Sequence, residues 1–156
     1  PGLPTRTRSG ARLDRAGAVA RRGGGRVGVL FVDLDGFKAA NDRGGHDAGD
    51  RILREVADRL REGLRQGDVI ARVGGDEFVV LLPGCRDAAA AGVAAQSLRT
   101  RLHSPYTLPD GQFHLDASIG IACFPQDGSD ADSLLAHADR AMYAAKKGAD
   151  GDRFSR

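Results

Sequence analysis

Apolar residues in this chain gather into short continuous runs and into longer stretches with helical spacing. Val27 to Val32 is compact, β-branched and bounded by glycines and acids, which predicts a strand buried on both faces and central to a sheet. Ala117 to Phe124 predicts a second buried strand. Val69 to Val73 and Phe78 to Leu82 are separated by Gly74 and Gly75, a pattern that predicts a tight β-hairpin in which glycine tolerates positive φ. Beyond an Asp-rich loop, Ile52, Leu53, Val56, Ala57, Leu60 and Leu64 recur at three- and four-residue intervals and predict an amphipathic helix ending near Gly67.

The remaining elements follow from caps and turns. Asp87 can N-cap an Ala-rich helix running to His103, with Val93, Leu98 and Leu102 turned to the core. Pro109, Asp110 and Gly111 predict the turn of a smaller hairpin. Leu134, Leu135, Ala138, Ala141, Met142 and Ala145 mark a last helix, with Lys146 and Lys147 in its final turn and Gly148 at C′. An Ala- and Arg-rich stretch from Arg6 to Ala20 predicts a short surface helix. The resulting order, β-α-β-β-α-β, fits a ferredoxin-like α+β sandwich with the first strand between the third and fourth. That strand then runs antiparallel to the one leaving the Gly74-Gly75 turn, which lands Asp33 beside Asp76.

Composition narrows the function classes. A length of 156 residues suits one domain with its own core, and the chain is 41% hydrophobic and 28% charged with a net charge of +2. The basic residues are scattered among nearly as many acids, so no duplex-binding stripe appears and no nucleic-acid partner is expected. No apolar run approaches the roughly 20 residues of a membrane span, and no membrane contact by this segment is expected. Cys85 and Cys123 are too few and too far apart for a disulfide framework and read as free thiols of a reducing cytoplasm. A start at Pro1, with neither an initiator Met nor a signal peptide, reads as a piece of a longer protein.

Two carboxylates converging at a strand end and a hairpin tip repel unless a cation lies between them. Hard oxygen ligands point to Mg²⁺ or Mn²⁺, which commonly share their shell with substrate phosphates, making a nucleoside triphosphate the natural third partner. On spacing alone, Asp33, Asp35 and Asp76 serve equally well as ordinary turn residues.

Three segments bear on that choice: Val32–Asp42 (VDLDGFKAAND), Gly45–Asp50 (GHDAGD) and Arg72–Phe78 (RVGGDEF). In order and spacing they resemble the signature segments of the GGDEF diguanylate cyclase family. The resemblance continues through Ser118–Ile121 and Ala138–Lys146, and Gly2-Leu3-Pro4 is similar to the tail of the family's opening motif. Several spaced motifs are far more specific than any one of them. The resemblance implies one GGDEF domain over residues 1–156, a nucleotidyl-cyclase palm with a mainly antiparallel five-stranded sheet flanked by helices plus a small β-hairpin. It also implies condensation of two GTP into cyclic di-GMP and pyrophosphate across a homodimer, with two Mg²⁺ or Mn²⁺ per half-site.

Carried over residue by residue, the resemblance implies that Asp33, Asp76 and the Leu34 carbonyl ligate metal, with Glu77 in metal support or proton removal. Gly74 and Gly75, and the backbone of Gly36, Phe37 and Lys38, would admit and cradle the triphosphate. Asn41 and Asp50 would read guanine, whose edges suit an amide and a carboxylate. Lys146 would contact phosphate, although a Lys there also suits the helix dipole. Many members place a second basic residue four positions on, where this chain has Asp150, leaving Lys147 or Arg153 to substitute. Arg65 and Asp68 resemble the family's RxxD site for inhibition by cyclic di-GMP. The resemblance also admits a catalytically weak receptor, or the regulator of a fused phosphodiesterase domain, in the cytoplasm or on the cytoplasmic side of a membrane-anchored protein.

Overall fold

Strand β1, Val27–Asp35, is buried at every position from Val27 to Leu34, as its unbroken apolar run predicts. The computed structural model describes residues 25–109 and 111–148, and the backbone of 154–155. The helix expected over residues 6–20 lies outside the described residues. Side-chain alternation along β1 feeds two cores. Leu30, Val32 and Leu34 join one core, and Val27, Val29 and Phe31 join the other.

Helix α1, Phe37–Glu62, buries Ile52, Leu53, Val56 and Leu60 in the first core, where the three- and four-residue spacing puts them. It begins well before the periodic stretch, so the segment read as an Asp-rich loop is helical instead. Its early buried residues are Ala40, Ala48 and Gly49, too small to draw an apolar stripe, and the helix is broken at Gly45 by φ 81° and ψ 179°.

Strands β2, Val69–Arg72, and β3, Glu77–Pro83, form the expected hairpin. Helix α2, Ala88–His103, is N-capped by Asp87, whose carboxylate accepts from the Ala90 N–H at 2.8 Å. Its buried face is Ala91, Ala95, Leu98 and Leu102, and Val93 is 73% exposed rather than turned to the core. Two residues on from Ala91 is a rotation of about 200° around a helix, so the alanine stripe, not the larger valine, defines the inward face. Beyond α2, the Arg59 guanidinium donates to the carbonyls of Arg101, Ser104 and Pro105 at 3.0, 2.6 and 2.7 Å. It lies 3.9 Å over the Tyr106 ring, so one α1 side chain satisfies carbonyls that the end of α2 leaves open.

Strands β4, Tyr106–Leu108, and β5, Gly111–Phe113, make the small hairpin, and β6, Asp116–Phe124, returns to the sheet. Helix α3, Ala131–Lys147, starts at a capping box of Asp130 and Ser133. Gly148 ends it with φ −64° instead of the left-handed turn expected at C′, and its N–H closes on the Ala144 carbonyl at 2.8 Å. The short strand β7, Phe154–Ser155, pairs parallel with β6.

The sheet order β2-β3-β1-β6-β7 places β1 between β3 and β6, antiparallel to both, as the ferredoxin-like reading requires. Helices α1 and α2 cover one face, and α3 covers the other. Contact between α3 and β6 is so close that a Cβ on Gly120 would collide with the Ala138 carbonyl oxygen and the Met142 backbone. Gly120→Ala is therefore expected to cost about 2–3 kcal/mol in urea unfolding, whereas Val93→Ala should stay within about 0.5 kcal/mol of wild type.

Candidate active site

The buried strand β1 leaves its cover at Asp33, Leu34 and Asp35. Asp33 faces Glu77 in the β1–β3 ladder, and the Leu34 N–H donates to the Asp76 carbonyl at 3.0 Å. The topology thus brings Asp33 and Asp76 together, as the strand order predicts. Odd-numbered β1 residues face α3, so Asp33 and Asp35 continue that row beyond the apolar core. Ser118 on β6 sits opposite Asp33 and points to the same side, since Ala117 and Ile119 point to the other.

A cation does lie among these acids, and it is supplied by the chain. Lys146, in the last turn of α3, places its Nζ 2.5 Å from Asp33 Oδ2 and 3.6 Å from Asp35 Oδ1. The buried Ser118 hydroxyl donates to Asp35 Oδ2 at 2.8 Å. Burial, joined by repulsion from Asp76 and Asp35, pushes the Asp33 carboxyl above its ordinary range against the pull of Lys146. The hydrogen bond to Asp33 in turn raises the Lys146 ammonium above its ordinary value. Lys147, by contrast, lies 4.8 Å over the Tyr143 ring, and Asp150 and Arg153 fall outside the described residues.

The glycine turn differs from the expectation. Neither Gly74 nor Gly75 has positive φ. The connection spans Val73 to Asp76 and closes through the Val73 and Gly74 N–H groups on the Glu77 carbonyl at 3.0 and 3.4 Å, so it escapes the mirror-image geometry of a two-residue hairpin. A Cβ on Gly74 would meet Glu77 Oε1 at 2.7 Å, while one on Gly75 would point into open space. The Glu77 carboxylate therefore folds back over Gly74.

Immediately after Asp35, Gly36 takes φ 92° and caps α1 without a side chain of its own, and no acid occupies the first helical turn. The N–H groups of Phe37 and Lys38 therefore begin a helix whose first turn carries no carboxylate of its own. Across the Gly45 break, Gly49 returns under Asn41, and a Cβ there would collide with Asn41 Oδ1. Gly49 thus meets Asn41 beside Phe37, and the exposed Asp50 is the next residue along the helix. Arg65 and Asp68 form a separate turn, in which the Arg65 N–H donates to Asp68 Oδ2 at 2.9 Å and the Arg65 side chain is exposed. A groove of about 400 Å³ between α1 and the small hairpin, lined by Arg51, Arg54, Glu55 and Tyr106 among others, contains none of these residues.

Sequence reasoning assigned no role to Asp35 or Ser118. The signals were present: Asp33 and Asp35 at i, i+2 share one strand face, and Ser118 is a lone hydroxyl in an apolar run. Among the described residues, no three His, Cys, Asp or Glu side chains converge on one point. The Asp33 and Asp76 carboxylates and the Leu34 carbonyl are hard oxygen groups, the chemistry that fits Mg²⁺ or Mn²⁺ completing its shell with phosphate and water. The ammonium held at Asp33 marks the same place as attractive to a cation.

A βαββαβ palm with acids at the end of its central strand defines a nucleotidyl-cyclase class of domain. The family model "Diguanylate cyclase, GGDEF domain" matches residues 1–151. The bifunctional diguanylate cyclase/cyclic di-GMP phosphodiesterase MucR of Pseudomonas aeruginosa is 47% identical over 144 residues, covering 92% of this chain and 21% of that protein. The diguanylate cyclase TpbB of the same species is 42% identical over 152 residues, 97% of this chain and 35% of that protein. The crystal structure of the TpbB GGDEF domain superposes with a TM-score of 0.92 at 41% identity, covering 99% of this chain and 98% of that one. The GGDEF domain of DgcB from Caulobacter crescentus, crystallised with cyclic di-GMP, superposes at 0.88 with 29% identity and coverages of 98% and 90%. This chain belongs to the GGDEF domain family of diguanylate cyclases, and it spans about a fifth to a third of the length of these curated relatives.

The raised Asp33 pKa sets a pH dependence. Above the ordinary aspartate value of 3.8, the unfolded chain releases this proton before the folded protein does, so Asp33 ionisation lowers stability as pH rises through that window. Asp33→Asn removes the slope. Its stability relative to wild type is expected to be more favourable at pH 7 than at pH 3.5 in urea unfolding, and a difference independent of pH would contradict the shift.

Proposed function

We propose that this domain is an active diguanylate cyclase, joining two GTP into cyclic di-GMP and pyrophosphate across a homodimer. The observation that carries this reading is the meeting of Asp33 and Asp76 beside the start of α1, whose cap Gly36 brings no side chain, an acidic edge suited to metal next to one suited to anions. Asp33, Asp76 and the Leu34 carbonyl would hold two Mg²⁺ or Mn²⁺ ions. Bound there, the ions supply Lewis-acid polarisation of the α-phosphorus and ease deprotonation of the attacking 3′-hydroxyl.

The chain's own groups orient the substrate. Backbone N–H groups of Gly36, Phe37 and Lys38 receive the triphosphate, and Gly75 leaves clearance beside it. Asn41 and Asp50 read guanine, and Lys146 moves onto phosphate oxygens. Glu77 supports the metals or accepts the hydroxyl proton. Each half-site binds one GTP, so the two phosphodiester bonds of the product require two domains face to face. Arg65 and Asp68 bind cyclic di-GMP as a feedback inhibitor, a role supported by the exposed guanidinium and the carboxylate beside it.

The chain is one domain of a longer cytoplasmic or membrane-anchored protein, in keeping with the greater length of its relatives. Among the described residues no helix is long and apolar enough to cross a membrane. The bifunctional MucR favours a second reading, in which the domain acts as a GTP or cyclic di-GMP receptor that regulates a fused phosphodiesterase domain.

Incubating the protein at high concentration with GTP and Mg²⁺ or Mn²⁺ should yield cyclic di-GMP and pyrophosphate. Asp76→Ala should abolish product while retaining the fold, and Asp50→Ala should raise the KM for GTP by about tenfold. Nucleotide binding without turnover, persisting after enforced dimerisation, would favour the receptor. In a cyclic di-GMP titration, Arg65→Ala should keep turning over where wild type stalls. Identical inhibition curves would remove the regulatory role.

A further inference from the structure

Asp35 and Ser118 lie outside the roles proposed above, yet they form the most fully built polar contact of the site. Ser118 is wholly buried in β6, and its Oγ donates to Asp35 Oδ2 at 2.8 Å. That bond fixes a carboxylate at the strand end with its other oxygen 3.6 Å from Lys146 Nζ. The same ammonium lies 2.5 Å from Asp33 Oδ2, where the Asp33 side chain is 10% exposed and the Lys146 side chain 43%. Lys146 arrives along the water-accessible side of the cluster, whereas Asp33 and Ser118 belong to the strand ladder. The movable partner is therefore the lysine, and the fixed ones are the acids.

A divalent ion at Asp33 would have to share that carboxylate with an ammonium already in hydrogen-bond contact with its Oδ2. Two cations at that spacing repel strongly in a partly desolvated site. A triphosphate changes the balance, because its oxygens offer Lys146 a competing anionic partner and offer the metal additional hard ligands. Resting on the metal assignment above, we propose that Asp35, anchored by Ser118, parks Lys146 on Asp33 when no nucleotide is present, so that the ammonium occupies the divalent ion's place and metal enters only together with triphosphate. Asp35 and Ser118 are thus positioning residues acting through Lys146, and the site is guarded against free metal.

The test is Mn²⁺ binding to the folded protein, followed by the loss of the free-ion electron paramagnetic resonance signal without nucleotide. Wild type should bind Mn²⁺ weakly, and Lys146→Met should bind it at least about tenfold more tightly. The gain should vanish in the Asp33→Asn/Lys146→Met double variant. Ser118→Ala, which loosens the post but keeps the ammonium, should fall between wild type and Lys146→Met. Equal Mn²⁺ affinity of wild type and Lys146→Met would overturn the proposal, and Ser118→Ala indistinguishable from wild type would overturn the anchoring role. With 3′-deoxy-GTP, which carries the triphosphate but lacks the attacking hydroxyl, wild type should retain Mn²⁺–nucleotide on gel filtration and Lys146→Met should retain less. If no variant binds Mn²⁺ in either form, the metal assignment itself fails, an outcome distinct from metal binding that is indifferent to Lys146.

Discussion

β1 pairs with β3 on one side and with β6 on the other, and helices cover both of its faces, so polar side chains can stand on it only where that cover ends. Asp33 and Asp35 are at that point. Because the neighbouring strands are antiparallel to β1, their near ends deliver Glu77, Asp76 and Ser118 to the same edge. The chemistry of the domain is therefore a by-product of the register of its central strand. A one-residue slip would turn Asp33 away from α3 and separate it from Lys146.

Collecting acids at such an edge works against stability. Burial, with repulsion from Asp76 and Asp35, pushes the Asp33 carboxyl above its ordinary range. Lys146 and Ser118 offset part of it through contacts that cross from the last helix and from β6 to the first strand. Functional sites commonly hold such local conflict, with the surrounding packing maintaining them. Here the maintenance is visible in the closeness of β6 to α3 at Gly120 and in the tie that Arg59 makes between α1 and the end of α2.

Much of this was legible in the amino-acid order. Uniformly apolar runs marked the buried strands, and the β-α-β-β-α-β sequence was enough to place Asp33 beside Asp76. The start of α1 was hidden because Ala40, Ala48 and Gly49 bury without displaying an apolar period. Val93 misled for the complementary reason, since in an alanine-rich helix the larger side chain need not be the inward one. Gly74 and Gly75 suggested a positive φ that a four-residue turn does not need. The resemblance reads Lys146 as a phosphate contact, but its ion pair with Asp33 links residues 113 positions apart and becomes apparent only when α3 is laid on the sheet.

Under the proposed function, the break at Gly45 would divide the labour of recognition. Asn41 belongs to the helical segment before it and Asp50 to the segment after it, while Asp33 and Asp76 stand on the sheet. The groups proposed to read a base would thus be carried on a joint of their own, apart from those proposed to handle phosphate. A lineage could alter which nucleobase fits by adjusting that joint, and inherit the phosphate chemistry intact.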